Sequence, residues 1–170
     1  MDESLGELKI FITQQSNITV DEMISKCLGI KEQHKSELGL VLIDYLQLMD
    51  GPLYESKDEK LSKVVIQLKE MTKVLQVPVI ILSQLDRAIE HRKHKHPMLS
   101  NIREIQSVES HVDVVTMINR DEYYNPEIED RGITEQITCK HMNGSVGTGK
   151  LLFEPQFARF RNIAQIPELI

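Results

Sequence analysis

Two runs of apolar residues are each followed by polar residues that could do chemistry. Residues 40–43 precede Asp44, and residues 77–82 precede Ser83 and Gln84. A short apolar run predicts a strand buried on both faces, as in a parallel sheet, and such strands present their carboxyl ends to the ligand-binding edge. A carboxylate at that edge can hold Mg²⁺, because hard cations prefer oxygen ligands. Asp44 is therefore a candidate magnesium-binding residue, although an aspartate in a simple turn after a buried strand gives the same pattern.

The composition limits the class of protein. The chain has 170 residues, of which 41% are hydrophobic and 27% charged, so it can fill a core and fits one domain or part of a larger one. Its net charge of −6 means that any nucleic-acid contact must come from a local patch. Cys27 and Cys139 are too few for a disulfide scaffold and suit a reducing compartment. The sequence has no apolar run near the roughly 20 residues of a membrane span and no signal-peptide pattern at its N-terminus. A cytoplasmic location, or an organelle stroma, is predicted.

Helices and strands are predicted to alternate in the first half of the chain. A capping box at residues 19–22 opens a helix that is predicted to end near residue 34. A second capping box at residues 56–59 opens a helix that is predicted to end near residue 76. Together with the two apolar runs, these helices predict a parallel sheet with crossover helices. A β-rich run at residues 8–13 predicts one more strand.

The second half of the chain is predicted to be richer in strands and loops. Strands at residues 133–139 and 149–153 are joined by the turn dipeptide Asn143 and Gly144. The other predictions are, in chain order, a polar basic loop at 86–100, a short helix within 101–110, a strand at 112–118, an acidic loop at 120–131 and a strand at 157–160.

One basic cluster lies in the loop predicted for residues 86–100. It contains Arg87 and Arg92 together with two lysines and three histidines. A solvated loop is the usual explanation of such a charge run, and binding of nucleic-acid phosphates is the alternative. A metal site at the three histidines is not favoured, because no cysteine or carboxylate stands at ligand spacing.

Residues 144–150 match the string G-x₄-G-K of a phosphate-binding loop. Such a loop needs a strand before it, a helix after it, and serine or threonine directly after the lysine. Leu151 follows Lys150, and the sequence continues as a strand. A hairpin turn is therefore predicted here instead of a phosphate loop.

Five motifs occur in a fixed order, namely IDYLQLM, VPVIILSQLDR, HPMLSNIREIQSVES, NRDEYYNPE and the NG turn after a strand. Together they resemble the motifs of replicative DNA helicases of the DnaB family. The resemblance runs from about residue 9 to residue 162, and it implies an α/β fold: a RecA-like P-loop NTPase core with a mainly parallel sheet and a C-terminal β-hairpin. Residues 1–170 would form one partial domain, incomplete on its N-terminal side. It also implies a hexameric ring of helicase subunits that uses ATP and Mg²⁺ to unwind duplex DNA at the replication fork while moving along single-stranded DNA.

The resemblance implies roles for individual residues. Asp44 corresponds to the Walker B aspartate on Mg²⁺, and Gln84 to the residue that senses the γ-phosphate. Lys140 falls where the family has a lysine that reaches into the neighbouring subunit's ATP site. The residues implied in DNA binding are Arg103, Glu104 and Gln106 in the loop at the ring centre, to which the basic cluster adds Arg87 and Arg92.

The sequence also departs from the family's pattern. The Walker A loop and the glutamate that polarises the attacking water are both absent, and Met142 replaces the arginine finger. That arginine is worth on the order of 10³–10⁵ in rate in other NTPases, so hydrolysis by this chain alone is not expected. Gln106 stands where the family has glycine, Ile105 replaces a small polar residue, and His111 replaces an acidic one. The alternative function is a non-enzymatic remnant that binds DNA or helicase subunits.

Overall fold

The computed structural model describes residues 8–49, 57–85, 97, 109–125, 127–128 and 131–163. Helix α1 (Val20–His34) begins at Thr19, whose hydroxyl accepts a hydrogen bond from the Glu22 backbone N–H. The Glu22 carboxylate in turn accepts one from the Thr19 backbone N–H at 2.9 Å. These reciprocal bonds satisfy two donors that the first helical turn leaves free. The predicted capping box and the predicted helix end near residue 34 are both confirmed.

A parallel strand pair with a crossover helix forms the first part of the fold. Strands β1 (Val41–Ile43) and β2 (Val79–Ile81) pair in parallel, with helix α2 (Lys57–Leu75) between them in the chain. Beyond the paired residues, the Leu82 N–H donates to the Ile43 carbonyl, and the Leu46 N–H donates to the Leu82 carbonyl, both at 2.9 Å. The two strand ends that carry the candidate residues are therefore hydrogen-bonded to each other.

The apolar stripe of α2 supplies most of the core. Leu68 and Met71 are almost fully buried, and residues at helical spacing on either side share their face. The opposite face of the β1–β2 pair is open, because the side chains of Leu42 and Ile80 are 60% and 48% exposed. Parallel sheets are usually covered on both faces. The other buried apolar residues of this part are Val20, Met23, Ile43, Leu46, Met49, Leu61, Val64, Val65, Leu75 and Val77.

An antiparallel sheet of four strands forms the second part. Each strand pairs with the next, so that chain order and spatial order agree. Its first strand is attached to α2 by Lys69, whose Nζ lies 2.7 and 2.6 Å from the two carboxylate oxygens of Asp113. The strands are β3 (Val114–Asn119), β4 (Ile133–His141), β5 (Gly147–Glu154) and β6 (Arg159–Asn162).

The hairpin between β4 and β5 tests two sequence predictions. One is the turn at Asn143 and Gly144, and the other is that residues 144–150 do not form a phosphate loop. Asn143 and Gly144 lie in the turn, as predicted. From Gly147 onward the chain is strand, with Lys150 opposite Glu135 in the sheet. A phosphate loop would need a helix at this point. Residues 144–150 are therefore a hairpin turn and the start of a strand.

The strand predicted at residues 8–13 is wrong. These residues have no regular secondary structure, and the side chains of Leu8, Ile10 and Ile12 are 60%, 65% and 81% exposed. High β propensity does not make a strand without a neighbouring strand to pair with. The α/β class is confirmed, with a parallel pair and an antiparallel sheet of four among the described strands.

Several predictions fall wholly or largely outside the described residues. The basic loop at 86–100 and the helix within 101–110 are among them. The start of the second capping box, at Ser56, also lies outside. Of the helices in the described part of the chain, none combines the length and apolar character needed to cross a bilayer.

Candidate nucleotide site

Asp44 lies directly after β1, at the carboxyl end of the parallel pair. Its side chain is exposed, and the residues on either side of it in the chain, Ile43 and Tyr45, are buried and half-buried. The Leu46 N–H bond to the Leu82 carbonyl fixes the chain just beyond it against the end of β2. An exposed carboxylate on a backbone fixed at both sides is suited to hold a hydrated cation. The structure therefore places Asp44 where the sequence predicted it.

Gln84 lies on the neighbouring strand end, three residues after β2, and its side chain is exposed. The residue before it, Ser83, accepts a hydrogen bond from the Gln47 side-chain amide at 3.0 Å. Gln47 stands in a short 3₁₀ helix that follows Asp44. A side-chain bond thus links the segment after β1 to the segment after β2. The structure brings Asp44 and Gln84 to the same edge of the sheet.

The Gln47 side chain also has an unpaired atom. Its Oε1 is buried and accepts no hydrogen bond from the described residues. Buried polar atoms are paired in the great majority of cases, so each exception calls for an explanation. The position of this oxygen beside the Ser83 bond places it near the carboxyl end of the strand pair.

Lys140, on β4, is bonded within its own chain. Its half-buried ammonium group donates to the backbone carbonyls of Glu109 and Val112, the latter at 2.8 Å. These carbonyls belong to the segment that enters β3, so the lysine fixes that segment to the sheet. Its implied contact with a neighbouring subunit's ATP stays a prediction.

An aromatic cleft of about 220 Å³ opens beside the end of β2. Leu85, the residue after Gln84, forms part of its wall, which places the cleft next to the candidate residues of the sheet edge. Four aromatic side chains and one arginine supply most of the planar surface. They are Tyr123, Tyr124, Phe153, Phe160 and Arg120, and the remaining lining residues are Pro97, Ile118, Asn119 and Thr134.

The planar groups of the cleft already stack on one another. The Arg120 guanidinium carbon lies 4.8 Å from the centre of the Phe153 ring, and the Phe153 and Phe160 ring centres are 4.9 Å apart. Tyr123 and Tyr124 make an edge-to-face pair at 5.2 Å. Aromatic rings and guanidinium planes are the groups on which proteins stack nucleobases.

A small network holds the two walls of the cleft together. Gly132 has a positive φ of 76°, a conformation that residues with a Cβ rarely adopt. In this conformation its N–H donates to the Glu122 carboxylate at 2.7 Å, and its carbonyl accepts from the Phe153 N–H at 2.7 Å. The tyrosine loop and β5 are thereby tied to one residue.

The cleft contains two more buried polar atoms that make no hydrogen bond. Arg120 Nε lies 3.1 Å from Glu122 Oε1, but its N–H does not point at that oxygen and makes no hydrogen bond. Thr134 is 1% exposed, and its Oγ1 has no partner among the described residues. With Gln47 Oε1, these are the buried side-chain atoms of the described part that make no hydrogen bond. All of them lie at the sheet edge or in the cleft.

Other predicted site residues lie outside the described part of the chain. They are Arg87, Arg92, Arg103, Glu104 and Gln106. The cleft itself is a feature that sequence reasoning missed. Its signal was the motif NRDEYYNPE, in which an arginine and two tyrosines follow a strand, but the partner rings come from β5 and β6, more than 25 residues away.

Neither cysteine adds a reactive or metal-binding group. Burial raises the pKa of the Cys27 and Cys139 thiols above its ordinary value, so both stay protonated at neutral pH. Within the described ranges, no group of three histidine, cysteine or carboxylate side chains could hold a metal ion. At the sheet edge, the described carboxylate that a cation could bind is that of Asp44.

Comparisons with known proteins agree on one family. The model of the DnaB-like helicase C terminal domain matches residues 1–162. The replicative DNA helicase DnaC of Bacillus subtilis is 41% identical over 162 residues, which are 94% of this chain and 35% of that protein. The replicative DNA helicase DnaB of Geobacillus stearothermophilus is 40% identical over 172 residues, 96% of this chain and 37% of that protein. This chain thus spans about a third of the length of these relatives.

Solved structures give the same result. An ATPase domain superposes with a TM-score of 0.81 at 37% identity, covering 86% of this chain and 52% of that one. A DnaB-like replicative helicase, solved to show its interactions with primase, superposes with a TM-score of 0.84 at 36% identity, covering 90% of this chain and 37% of that one. The RecA-like ATPase fold predicted from the sequence is confirmed by these neighbours.

Proposed function

This chain belongs to the DnaB-like helicase C-terminal domain family, and we propose that it forms part of a replicative DNA helicase, a ring of six subunits that unwinds duplex DNA with ATP and Mg²⁺. The observation that carries this proposal is the position of the buried polar atoms that make no hydrogen bond. They lie at the carboxyl edge of a parallel strand pair and in an aromatic cleft next to it. The phosphates of a nucleotide, with their cation, suit the sheet edge, and its flat base suits the cleft.

The sheet edge suits the magnesium and phosphate end of a nucleotide. Mg²⁺ keeps several waters and binds through one or two carboxylates plus substrate phosphates. The exposed carboxylate of Asp44 would hold the hydrated ion, and the amide of Gln84 would bond the terminal phosphate. Bound there, the ion would neutralise charge on the phosphates. Gln47, through Ser83, keeps the two strand ends in a fixed relation.

The cleft suits the base of the same nucleotide. Arg120 and the Phe153 ring offer a cation and a π surface to a flat ring. A ring that enters the cleft would also provide a hydrogen-bond partner for the Thr134 hydroxyl. Base stacking is sequence-tolerant in general, because every base has a π face.

The DNA and subunit contacts of the proposed motor rest on the family assignment. Arg103, Glu104 and Gln106 would contact single-stranded DNA, with Arg87 and Arg92 adding phosphate contacts, as predicted from the sequence. Lys140 would act at the site of a neighbouring subunit. A solved relative interacts with primase, so a primase is a further proposed partner. Relatives of this kind are bacterial helicases, which supports a cytoplasmic location. A non-enzymatic remnant is not favoured, because the matches are to replicative helicases.

Titration calorimetry with a non-hydrolysable ATP analogue tests the nucleotide site. The purified chain is titrated at millimolar analogue with and without Mg²⁺, because the described residues contain no phosphate loop. We expect saturable binding that Mg²⁺ strengthens, and we expect Asp44→Asn to remove the magnesium effect. Asp21→Asn, at an exposed carboxylate in the first turn of α1, is the matched control and should bind as the parent chain does. A magnesium effect that survives in Asp44→Asn would contradict the proposal.

A further inference from the structure

The hydroxyl of Thr134 has no structural reason to be buried where it is. The residue lies on β4 in the wall of the aromatic cleft and is 1% exposed. Burying a hydroxyl without a hydrogen bond is unfavourable, whereas a valine has the same shape without that cost. Its neighbours in the cleft wall include Ile118 and Phe153, so an apolar side chain would suit the position. Threonine at this place is explained if the hydroxyl bonds something that enters the cleft.

The other side chains that line the cleft restrict the shape of that ligand. The approach to Thr134 is bordered by Arg120, Phe153, Phe160 and the tyrosine pair. A group that reaches the buried wall between these surfaces must be flat. It must also carry a hydrogen-bonding atom on its edge, because the hydroxyl can both donate and accept. A nucleobase meets both requirements, while a sugar or a phosphate is not flat.

We propose that Thr134 is a specificity-determining residue that hydrogen-bonds the edge of the nucleobase in the aromatic cleft. The proposal rests on the proposed function, since it takes the cleft to be the base site. Stacking alone binds every base to a similar extent. A side chain that bonds the edge makes the affinity depend on which donors and acceptors that edge presents. The chain would therefore distinguish nucleosides and not only hold them.

Nucleosides without phosphate are the appropriate probes. They test the cleft without the sheet edge, so the outcome does not depend on Mg²⁺ or on phosphate binding. Dissociation constants for adenosine, guanosine, cytidine and uridine are measured by NMR titration of the full isotope-labelled chain. The parent chain is compared with Thr134→Val, which removes only the hydroxyl, and with Thr134→Ser, which keeps it.

We expect the parent chain to bind one nucleoside better than the others. Thr134→Val should weaken that binding about 2- to 10-fold, the range of one neutral hydrogen bond, and reduce the spread among the four nucleosides. Thr134→Ser should keep the preference. Without ligand, Thr134→Val should raise the denaturant midpoint, because an unpaired buried hydroxyl is replaced by a methyl group. Thr134→Ser should lower it, because a buried methyl group is lost.

The outcomes separate failure of this inference from failure of the base site. If the parent chain binds nucleosides and Thr134→Val binds them with the same constants and the same preference, Thr134 does not read the base. A lower denaturant midpoint for unliganded Thr134→Val would also overturn the inference, since the hydroxyl would then be bonded within the protein. If no nucleoside shifts any resonance of the cleft residues in the parent chain, the base site itself is wrong.

Discussion

The parallel unit and the antiparallel sheet of this chain are built on different principles. In the parallel unit, from α1 to β2, twelve apolar residues are buried, against three in β3 and β4 among the described residues. The two buried polar residues of the described part, Asn119 and Thr134, both lie in the antiparallel sheet. Apolar burial therefore stabilises the first region, while hydrogen bonds and ion pairs position the second.

This difference shows that the groups that stabilise the fold and the groups that could bind a ligand are largely different ones. The polar site residues of the parallel unit stand exposed at its edge, on a backbone held by a dry core behind them. In the antiparallel sheet, the cleft is lined by side chains whose polar atoms are not all paired. Regions of few buried apolar contacts open more easily than a dense core, and ligand-binding segments are drawn from such regions.

The largest loss of stability is expected from a substitution in the core of the parallel unit. Met71, in α2, is fully buried, and Met71→Ala should lower the free energy of unfolding by about 2–5 kcal/mol. Val74→Ala on the same helix is the matched control, because this side chain is 58% exposed and its loss should cost within about 0.5 kcal/mol. Denaturant unfolding followed by circular dichroism measures both. Similar losses for the two variants would mean that α2 does not carry the core.

A smaller loss of stability is expected from a substitution of Lys140. It tests whether hydrogen bonds position the antiparallel sheet. Lys140→Met keeps the length of the side chain and removes the donor to the two carbonyls that enter β3. Leaving these half-buried acceptors unpaired should cost about 1–3 kcal/mol. Lys150→Met, at an exposed lysine of β5, should change the free energy of unfolding little. If the two lysine variants unfold at the same denaturant concentration, polar bonds do not position this region.

The fold was predictable where local signals and burial agree. The capping box of α1, the helix predicted to end near residue 76 and the hairpin turn at Asn143 and Gly144 each rest on short-range signals, and each is confirmed. The apolar run at residues 8–13 has the same local character, yet it forms no strand, because pairing is decided by a partner that the run itself cannot specify.

The candidate site was predictable only in part for the same reason. Asp44 and Gln84 each follow an apolar run that ends at one sheet edge, so their meeting follows from the parallel pattern. The aromatic cleft could not be found in this way. It joins Arg120 and the tyrosine pair to rings of β5 and β6, and strand register brings these groups together. Lys140 likewise shows its bonds to backbone carbonyls only in the folded chain.

Amide hydrogen exchange with and without the magnesium complex of a non-hydrolysable ATP analogue tests the central claim most directly. The claim is that one nucleotide occupies both the sheet edge and the cleft. We predict slower exchange on binding at residues 44–48, 82–85 and 119–124, with α1 and the turn at residues 143–146 unchanged. Slower exchange confined to residues 143–150, or none at the sheet edge and the cleft under saturating ligand, would contradict the account.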